Sequence, residues 1–178
     1  AADPRLLPNG VTMTETTLPP DAAHARALRD ALGRFATGVT VITIAGPDGP
    51  MGFTANSFAS VSLDPALVLW SPAKSSLRYP YFAAAQHYAI HILGVAQLDL
   101  GARFARGGAG FAGLAYQTSP EGVPVLPDTL ARFECHQHAT HDGGDHLIIV
   151  GRVLRFTLTD GAPLVFSQGA YGGFVHGG

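Results

Sequence analysis

Three stretches of this 178-residue chain carry side chains that could do chemistry. The richest in titratable groups holds His136, His138, His141 and His146, with Cys135, Asp142 and Asp145 among them. On a strand, His136 and His138 share a face, as metal-binding H-x-H pairs do. The plainer reading puts both histidines in solvent, with Phe133, Cys135 and Gln137 on the other face and His141 in a turn. A metal would need a further ligand at a matching place, and the strand pair offers no obvious carboxylate. No metal is expected.

The second stretch, Thr54-Ala55-Asn56-Ser57, puts small polar side chains and unobstructed backbone groups at one strand end. Such a stretch can present N–H and C=O groups to a flat heteroaromatic ligand, or it can be simply a polar strand end. The third stretch is Ser71-Pro72-Ala73-Lys74-Ser75-Ser76-Leu77-Arg78, which holds the chain's single lysine. Hydroxyls at a helix start with fixed cations make a phosphate cradle, and Arg103 on the next helix would add a second charge. The alternative is a capping pair beside a solvated cation.

The absent motifs narrow the field. The sequence has no G-x-G-x-x-G between a strand and a helix, no P-loop, no G-x-S-x-G and no H-E-x-x-H. Gly107-Gly108-Ala109-Gly110 follows a helix and reads as a flexible loop. Formal net charge is −2 and charged residues are 13%, about half of the usual 25% or so, which excludes a nucleic-acid footprint. So little charge also suggests that a second copy of the chain covers part of the surface. One cysteine, Cys135, excludes an internal disulfide framework. Residues 1–20 lack the pattern of a signal peptide. Tyr79 to Leu98 is free of formal charge, yet its Pro80, Gln86, His87, His91 and Gln97 are too polar for a bilayer core. The expectation is a soluble, cytoplasmic protein with no membrane and no nucleic-acid partner.

The elements that must position these residues are short. Residues 1–20 read as a flexible N-terminal arm and residues 21–178 as a single domain. Asp21 suits an N-cap before Leu28, Leu32 and Phe35 at helical spacing, with Gly38 to end the helix. Val39 to Ile44 and a strand from Met51 flank the turn Gly46-Pro47-Asp48-Gly49. Ser62-Leu63-Asp64-Pro65 is a turn before the strand Ala66 to Trp70. Ser75-Ser76 would cap a short helix that sends Leu77, Tyr79 and Phe82 inward. Tyr88 to Leu93 is a strand, Gln97 to Ala105 a helix, and residues 106–128 an irregular excursion. Leu130 to Thr140 and Leu147 to Leu158 flank a hairpin turn at His141-Asp142-Gly143-Gly144, and Leu164 to Phe166 is a last strand. About six strands joined by short turns predict a mainly-β antiparallel barrel with helices at its edges.

Taken together the stretches resemble the flavin reductase family, the small reductase components of two-component flavin monooxygenases. The resemblance runs through R-F-A-T-G-V-T-V-I-T (Arg34 to Thr43), G-F-T-A-N-S-F-A-S-V-S-L-D-P (Gly52 to Pro65) and A-I-H-I-L (Ala89 to Leu93). It continues through A-R-F-A (Ala102 to Ala105), F-E-C (Phe133 to Cys135), H-D-G-G-D-H (His141 to His146) and P-L-V-F (Pro163 to Phe166), covering residues 25–175 in order. It implies a split β-barrel that is homodimeric and binds FMN or FAD near the dimer interface. It also implies hydride transfer from NADH, or NADPH, to that flavin, with reduced flavin passing to a partner monooxygenase. By the same resemblance Thr54, Ala55, Asn56 and Ser57 contact the flavin ring. Ser71, Pro72, Ala73, Lys74, Ser75, Ser76, Arg78, Arg103 and Phe104 would take the ribityl chain and phosphate. Asp145 and His146 are associated with the reduced nicotinamide nucleotide, with Phe166, Gln168, Gly169 and Tyr171 on the same side. His146 is the candidate catalytic residue, orienting the dinucleotide rather than donating a proton.

Such a reaction asks the protein for stacking and close approach rather than for a nucleophile, and none is evident. Two residues depart from the family pattern. His91 stands where many members have asparagine, which would alter a ring or ribityl contact. Gln168 stands where many have arginine, which leans towards NADH. Two other readings stay open at this stage: a bound-flavin reductase of another acceptor, such as a corrinoid or ferric chelate, and a non-enzymatic flavin-binding electron carrier.

Overall fold

The computed structural model describes residues 15–107 and 110–175. Residues 1–14 of the expected arm, and Gly108 and Ala109 of the expected glycine-rich loop, lie outside the described residues. The chain divides into two compact units, residues 1–35 and 36–178. In the first, the Asp21 carboxylate accepts from the His24 backbone N–H at 3.1 Å and caps a 3-10 turn, Ala22–His24, that leads into α1 (Ala25–Gly33). The helix ends at Gly33, with Arg34 as its C-cap, five residues before the glycine expected to close it. Gly38 instead sits in β1 (Thr37–Gly38), at the start of the second unit.

The second unit is built from hairpins. β2 (Thr40–Gly46) and β3 (Gly49–Ala55) pair from Thr40↔Ala55 to Gly46↔Gly49, leaving Pro47-Asp48 as a two-residue turn. Gly49 has φ +131, which an L side chain rarely adopts, so glycine is required there. β4 (Ala59–Leu63) and β5 (Ala66–Trp70) form the next hairpin across Asp64-Pro65. After α2 (Tyr79–Ala84), β6 (His87–Ile92) and α3 (Leu98–Arg106) come the short β7 (Gln117–Thr118) and β8 (Pro124–Val125). The long hairpin β9 (Ala131–Gly143) and β10 (His146–Leu158) turns at Gly144-Asp145, two residues later than the sequence suggested. β11 (Leu164–Ser167) and β12 (Ala170–Gly173) close the chain.

Among the described residues, β3-β2-β6-β9-β10-β5-β4 form one antiparallel seven-stranded sheet. Its side chains show why the sheet curls. Ile42 and Ile44 of β2, Trp70 of β5, Tyr88 and Ile90 of β6, Cys135 of β9 and Ile149 of β10 meet in one buried cluster. The opposite face of β2 sends Val41 into a second cluster with Val39, Leu93, Phe104, Phe111, Leu126 and Leu164. Burial on both faces explains the unbroken apolar and β-branched run of β2. The two sheet edges, β3 and β4, do not pair with each other, so the architecture is mainly β, a split barrel with short helices, as expected. Among the described residues no helix is long and apolar enough to cross a membrane.

Candidate functional site

The end of β3 is held in place by its own small side chains. The Thr40 hydroxyl donates to the Ala55 carbonyl at 2.7 Å, and the Thr54 hydroxyl donates to the Gly101 carbonyl of α3 at the same distance. Ser57 latches the strand end across the barrel, accepting from the Ser71 N–H at 2.9 Å while its hydroxyl faces the Ser71 carbonyl at 3.2 Å. Asn56 alone of the four has an exposed side chain. Here a cavity of about 160 Å³ is lined by Val39, Thr54, Ala55, Asn56, Ala105, Phe166 and Tyr171. The last two rings face each other across the β11–β12 ladder, with centroids 5.1 Å apart. Gln168 and Gly169 form the turn that brings them there, with φ of 49° and 82°. The strand-end segment and the aromatic terminal hairpin, proposed from distant parts of the chain, therefore share one cavity.

The Ser71–Arg78 stretch takes a different form from the one its sequence suggested. Ser71 to Lys74 extends β5 along the tip of the β9–β10 hairpin. The Leu147 N–H donates to the Pro72 carbonyl at 3.1 Å, Ala73 bridges His146, and the Lys74 N–H donates to the Asp145 carbonyl at 2.9 Å. The Lys74 ammonium reaches the Asp142 carboxylate and the Gly144 carbonyl. That hydrogen bond raises the lysine's pKa and lowers that of Asp142. The expected phosphate segment thus lies directly against Gly144-Asp145-His146. Ser75 and Ser76 do not cap a helix: α2 starts at Tyr79, with Pro80 in its first turn and Arg78 as N-cap. Leu77, expected to face inward, is 93% exposed, whereas Phe82 is buried.

Arg78 and Arg103 are both partly committed to backbone carbonyls. Nη1 of Arg78 donates to the carbonyls of Gly52 and Phe104 at 2.7 Å, and Nη2 lies 3.5 Å from that of Ala105. The last carbonyls of α3 lack partners within the helix, and a guanidinium fork suits them. Its plane lies over the Phe53 ring, 4.5 Å from the centroid, and desolvation lowers its pKa. Arg103 donates to the Ala112 carbonyl at 2.5 Å. Phe104 is fully buried in the second core cluster, so its side chain supports β3 from behind and only its carbonyl faces Arg78.

His146 pairs with the Asp145 carboxylate at 2.7 Å, and that bond lowers the pKa of Asp145. His136 and His138 face outward, with the His136 ring 5.0 Å from that of His87. Among the described residues no three metal-ligating side chains converge. His91, expected to alter a ligand contact, is instead fully buried. Its Nδ1 bonds the Val41 carbonyl at 2.9 Å and its Nε2 accepts from the Leu126 N–H at 3.0 Å. Since an N–H can only donate, the ring is neutral with its proton on Nδ1, and burial pushes its pKa down to about 4.

Sequence reasoning missed Val39 and Ala105 in the cavity wall, because neither side chain carries a chemical signal. It also missed the network in which Arg155 holds Glu121 at 2.6 Å and the buried Glu134 at 2.5 Å, with Arg132 on Glu134 at 3.1 Å. The Arg155 guanidinium lowers the pKa of Glu121 to about 2.

The profile of the flavin reductase like domain matches residues 32–174, which takes in β3, the Ser71–Arg78 segment, both long hairpins and the cavity between them. The chain belongs to the flavin reductase-like family. It is 59% identical over 155 residues to an FMN reductase (NADH) of Agrobacterium fabrum, covering 87% of this chain and 89% of that protein. It is 49% identical over 148 residues to the reductase component of a flavin-dependent trigonelline monooxygenase of Acinetobacter baylyi, covering 82% of this chain and 48% of that protein, about half its length. Among solved structures, an NADH:FAD oxidoreductase of Streptomyces globisporus superposes with a TM-score of 0.86 at 32% identity, over 94% of this chain and 96% of that one. A nitrilotriacetate monooxygenase component B homologue from Mycobacterium thermoresistibile gives 0.81 at 38% identity, over 86% and 88%.

Proposed function

We propose that this flavin reductase-like chain transfers a hydride from NADH, or NADPH, to FMN or FAD, and supplies reduced flavin to a partner monooxygenase. The observation that carries the reading is the cavity in which Thr54, Ala55 and Asn56 meet Phe166 and Tyr171. Its wall fits a flavin: a strand end with free backbone edge, an exposed amide able to donate and accept, and two aromatic faces. Flavin bound there supplies the hydride acceptor. The chain's own residues hold the ring, align it and limit water around it. Asn56 would pair with the ring edge, and Tyr171 and Phe166 would cover one side. Asp145, bonded to His146 Nδ1, would orient that imidazole for the nicotinamide nucleotide. Ser71 to Ser76 and the unused N–H groups of Arg78 would hold the ribityl phosphate.

The cavity is smaller than the roughly 300–1,000 Å³ of most small-molecule sites. A second copy of the chain completes it. A surface for that copy exists on β10, where Leu154, Phe156 and Leu158 alternate outward and are 44%, 61% and 76% exposed. The protein acts in the cytoplasm as a homodimer.

The test is anaerobic mixing of NADH with the protein and an excess of FMN or FAD, followed at the visible flavin band. Many flavins bleached per chain support the reading and rank the two flavins. A single stoichiometric bleach points to a bound-flavin enzyme that awaits another acceptor. No bleaching overturns the proposal.

A further inference from the structure

Lys74 is the chain's single lysine, and its sequence context suggests a phosphate ligand, yet the fold spends it on a turn. The β9–β10 hairpin closes with the pair Gly143↔His146, so the carbonyls of Gly144 and Asp145 lie beyond the ladder and have no strand partner. Both accept from Lys74. Its ammonium Nζ donates to the Gly144 carbonyl at 2.7 Å, and its backbone N–H donates to the Asp145 carbonyl at 2.9 Å. Peptide groups are planar, so fixing the two that flank a residue fixes both of its free backbone angles. Lys74 therefore sets the backbone of Asp145 from both sides.

The clamp is buttressed on either side of that residue. Asp142 of β9 takes the ammonium on its carboxylate, which anchors the lysine side chain to the strand that enters the turn. On the strand that leaves it, Ala73 bridges His146, and the Leu147 N–H donates to the Pro72 carbonyl at 3.1 Å. The Asp145 carboxylate in turn holds Nδ1 of His146 at 2.7 Å. A continuous series of contacts thus runs from Asp142 through Lys74 and the turn to the His146 ring. The same contacts argue against a phosphate on this lysine. An ammonium has three donors, and two of them are spent on Asp142 and Gly144. The carboxylates of Asp142 and Asp145, 78% and 93% exposed, stand beside it and repel an incoming anion. The phosphate is then left to the serines of the segment and to Arg78.

We propose that Lys74 is a positioning residue for the nicotinamide nucleotide: with Asp142 it sets the Gly144-Asp145 turn, and through the turn the His146 imidazole, and it takes no phosphate itself. This rests on the reading of His146 as a contact to that nucleotide. The test compares FMN with riboflavin, which lacks the phosphate. The kcat and the KM for NADH with each flavin as acceptor, and the dissociation constants of both flavins, are to be measured on the full chain. The variants are Lys74→Ala, Lys74→Arg, Asp142→Asn, His146→Ala and the double variant Lys74→Ala with His146→Ala. Asp142 is exposed, so its variant keeps the test open should Lys74→Ala fail to fold.

In Lys74→Ala the KM for NADH is expected to rise about fivefold with either flavin, the scale of one exposed ion pair, while kcat and both flavin constants hold. Asp142→Asn reproduces that rise, and Lys74→Arg, which keeps a cation beside Asp142, recovers most of it. The double variant is no worse than His146→Ala alone, because both changes act through one ring. The proposal is overturned if Lys74→Ala weakens FMN but not riboflavin, if Asp142→Asn leaves the KM for NADH unmoved, or if the two effects multiply in the double variant. Wild-type protein that reduces no flavin would instead strike the functional reading. The clamp is then read without turnover, in the proton NMR signals of the His146 ring, which shift in Lys74→Ala if Lys74 sets the turn and stay in place if it does not.

Discussion

Buried between β2 and the segment around Leu126, His91 makes the most quantitative prediction. Its imidazole is neutral in the fold, held by the Val41 carbonyl on one nitrogen and the Leu126 N–H on the other. Burial lowers its pKa from 6.5 to about 4, with the nearby Arg132 adding to the effect. In the unfolded chain the ring takes up a proton as pH falls through 6.5, while the folded chain resists until about 4. The unfolded state therefore binds more protons in that window, and stability falls with falling pH. Each pKa unit is about 1.36 kcal/mol, so the shift amounts to roughly 3 kcal/mol lost between pH 7 and pH 4. Other groups titrate over the same range, and His91→Gln isolates this one. Urea unfolding of both proteins is to be followed at pH 7, 6, 5 and 4. At pH 7 the variant is less stable by about 2–4 kcal/mol, because a buried N–H and a buried C=O lose their partner. The deficit shrinks by about 1 kcal/mol per pH unit below 6.5 and is nearly gone at pH 4. A deficit that stays constant with pH would show that His91 is not a neutral buried acceptor.

Arg78→Ala removes the fork that joins the end of α3 to the edge of β3, and a stability loss of about 2–3 kcal/mol is expected by thermal or urea unfolding, with weaker flavin binding; a fully stable variant would contradict the clamp. Gly52→Ala places a methyl group against the Phe104 ring and is expected to cost about 1–3 kcal/mol, read in the same assay. Gln168→Gly relieves a positive φ in the terminal turn and should raise stability by up to about 1 kcal/mol in the same unfolding assay. His146→Ala should raise the KM for NADH more than the KM for flavin, and an equal rise in both would make the histidine structural.

The hairpins were legible because β-branched alternation and turn residues are local signals: Pro47-Asp48-Gly49 and Asp64-Pro65 sit at the turns where they were expected. The small polar residues of Thr54–Ser57 were legible as a group, but not their division of labour. Only contact with Gly101 and Ser71 shows that Thr54 and Ser57 hold the scaffold and leave Asn56 free. The serines at 75 and 76 look like caps, yet proline favours the first turn of a helix, and Pro80 moved the start of α2 to Tyr79. The cations were visible while their partners were not. Arg78 meets Gly52 and Lys74 meets Asp142 across chain separations that no local pattern records. Arg155 reaches Glu134 through a register shift in the β9–β10 ladder, where simple alternation fails. His91 was expected at a ligand contact from the family pattern alone, and its strand neighbours do not reveal that both faces of β6 are covered.

The cavity between the end of β3 and the β11–β12 hairpin is tested most directly by anaerobic, NADH-driven flavin reduction in the wild type and in Asn56→Leu, with circular dichroism confirming that both are folded. The expected result is multiple turnover by the wild type and a loss of about tenfold or more in Asn56→Leu, whose side chain blocks the ring edge and offers it no hydrogen bond. Wild-type protein that leaves flavin oxidised, or a folded Asn56→Leu that turns over at the wild-type rate, would contradict the assignment of this cavity.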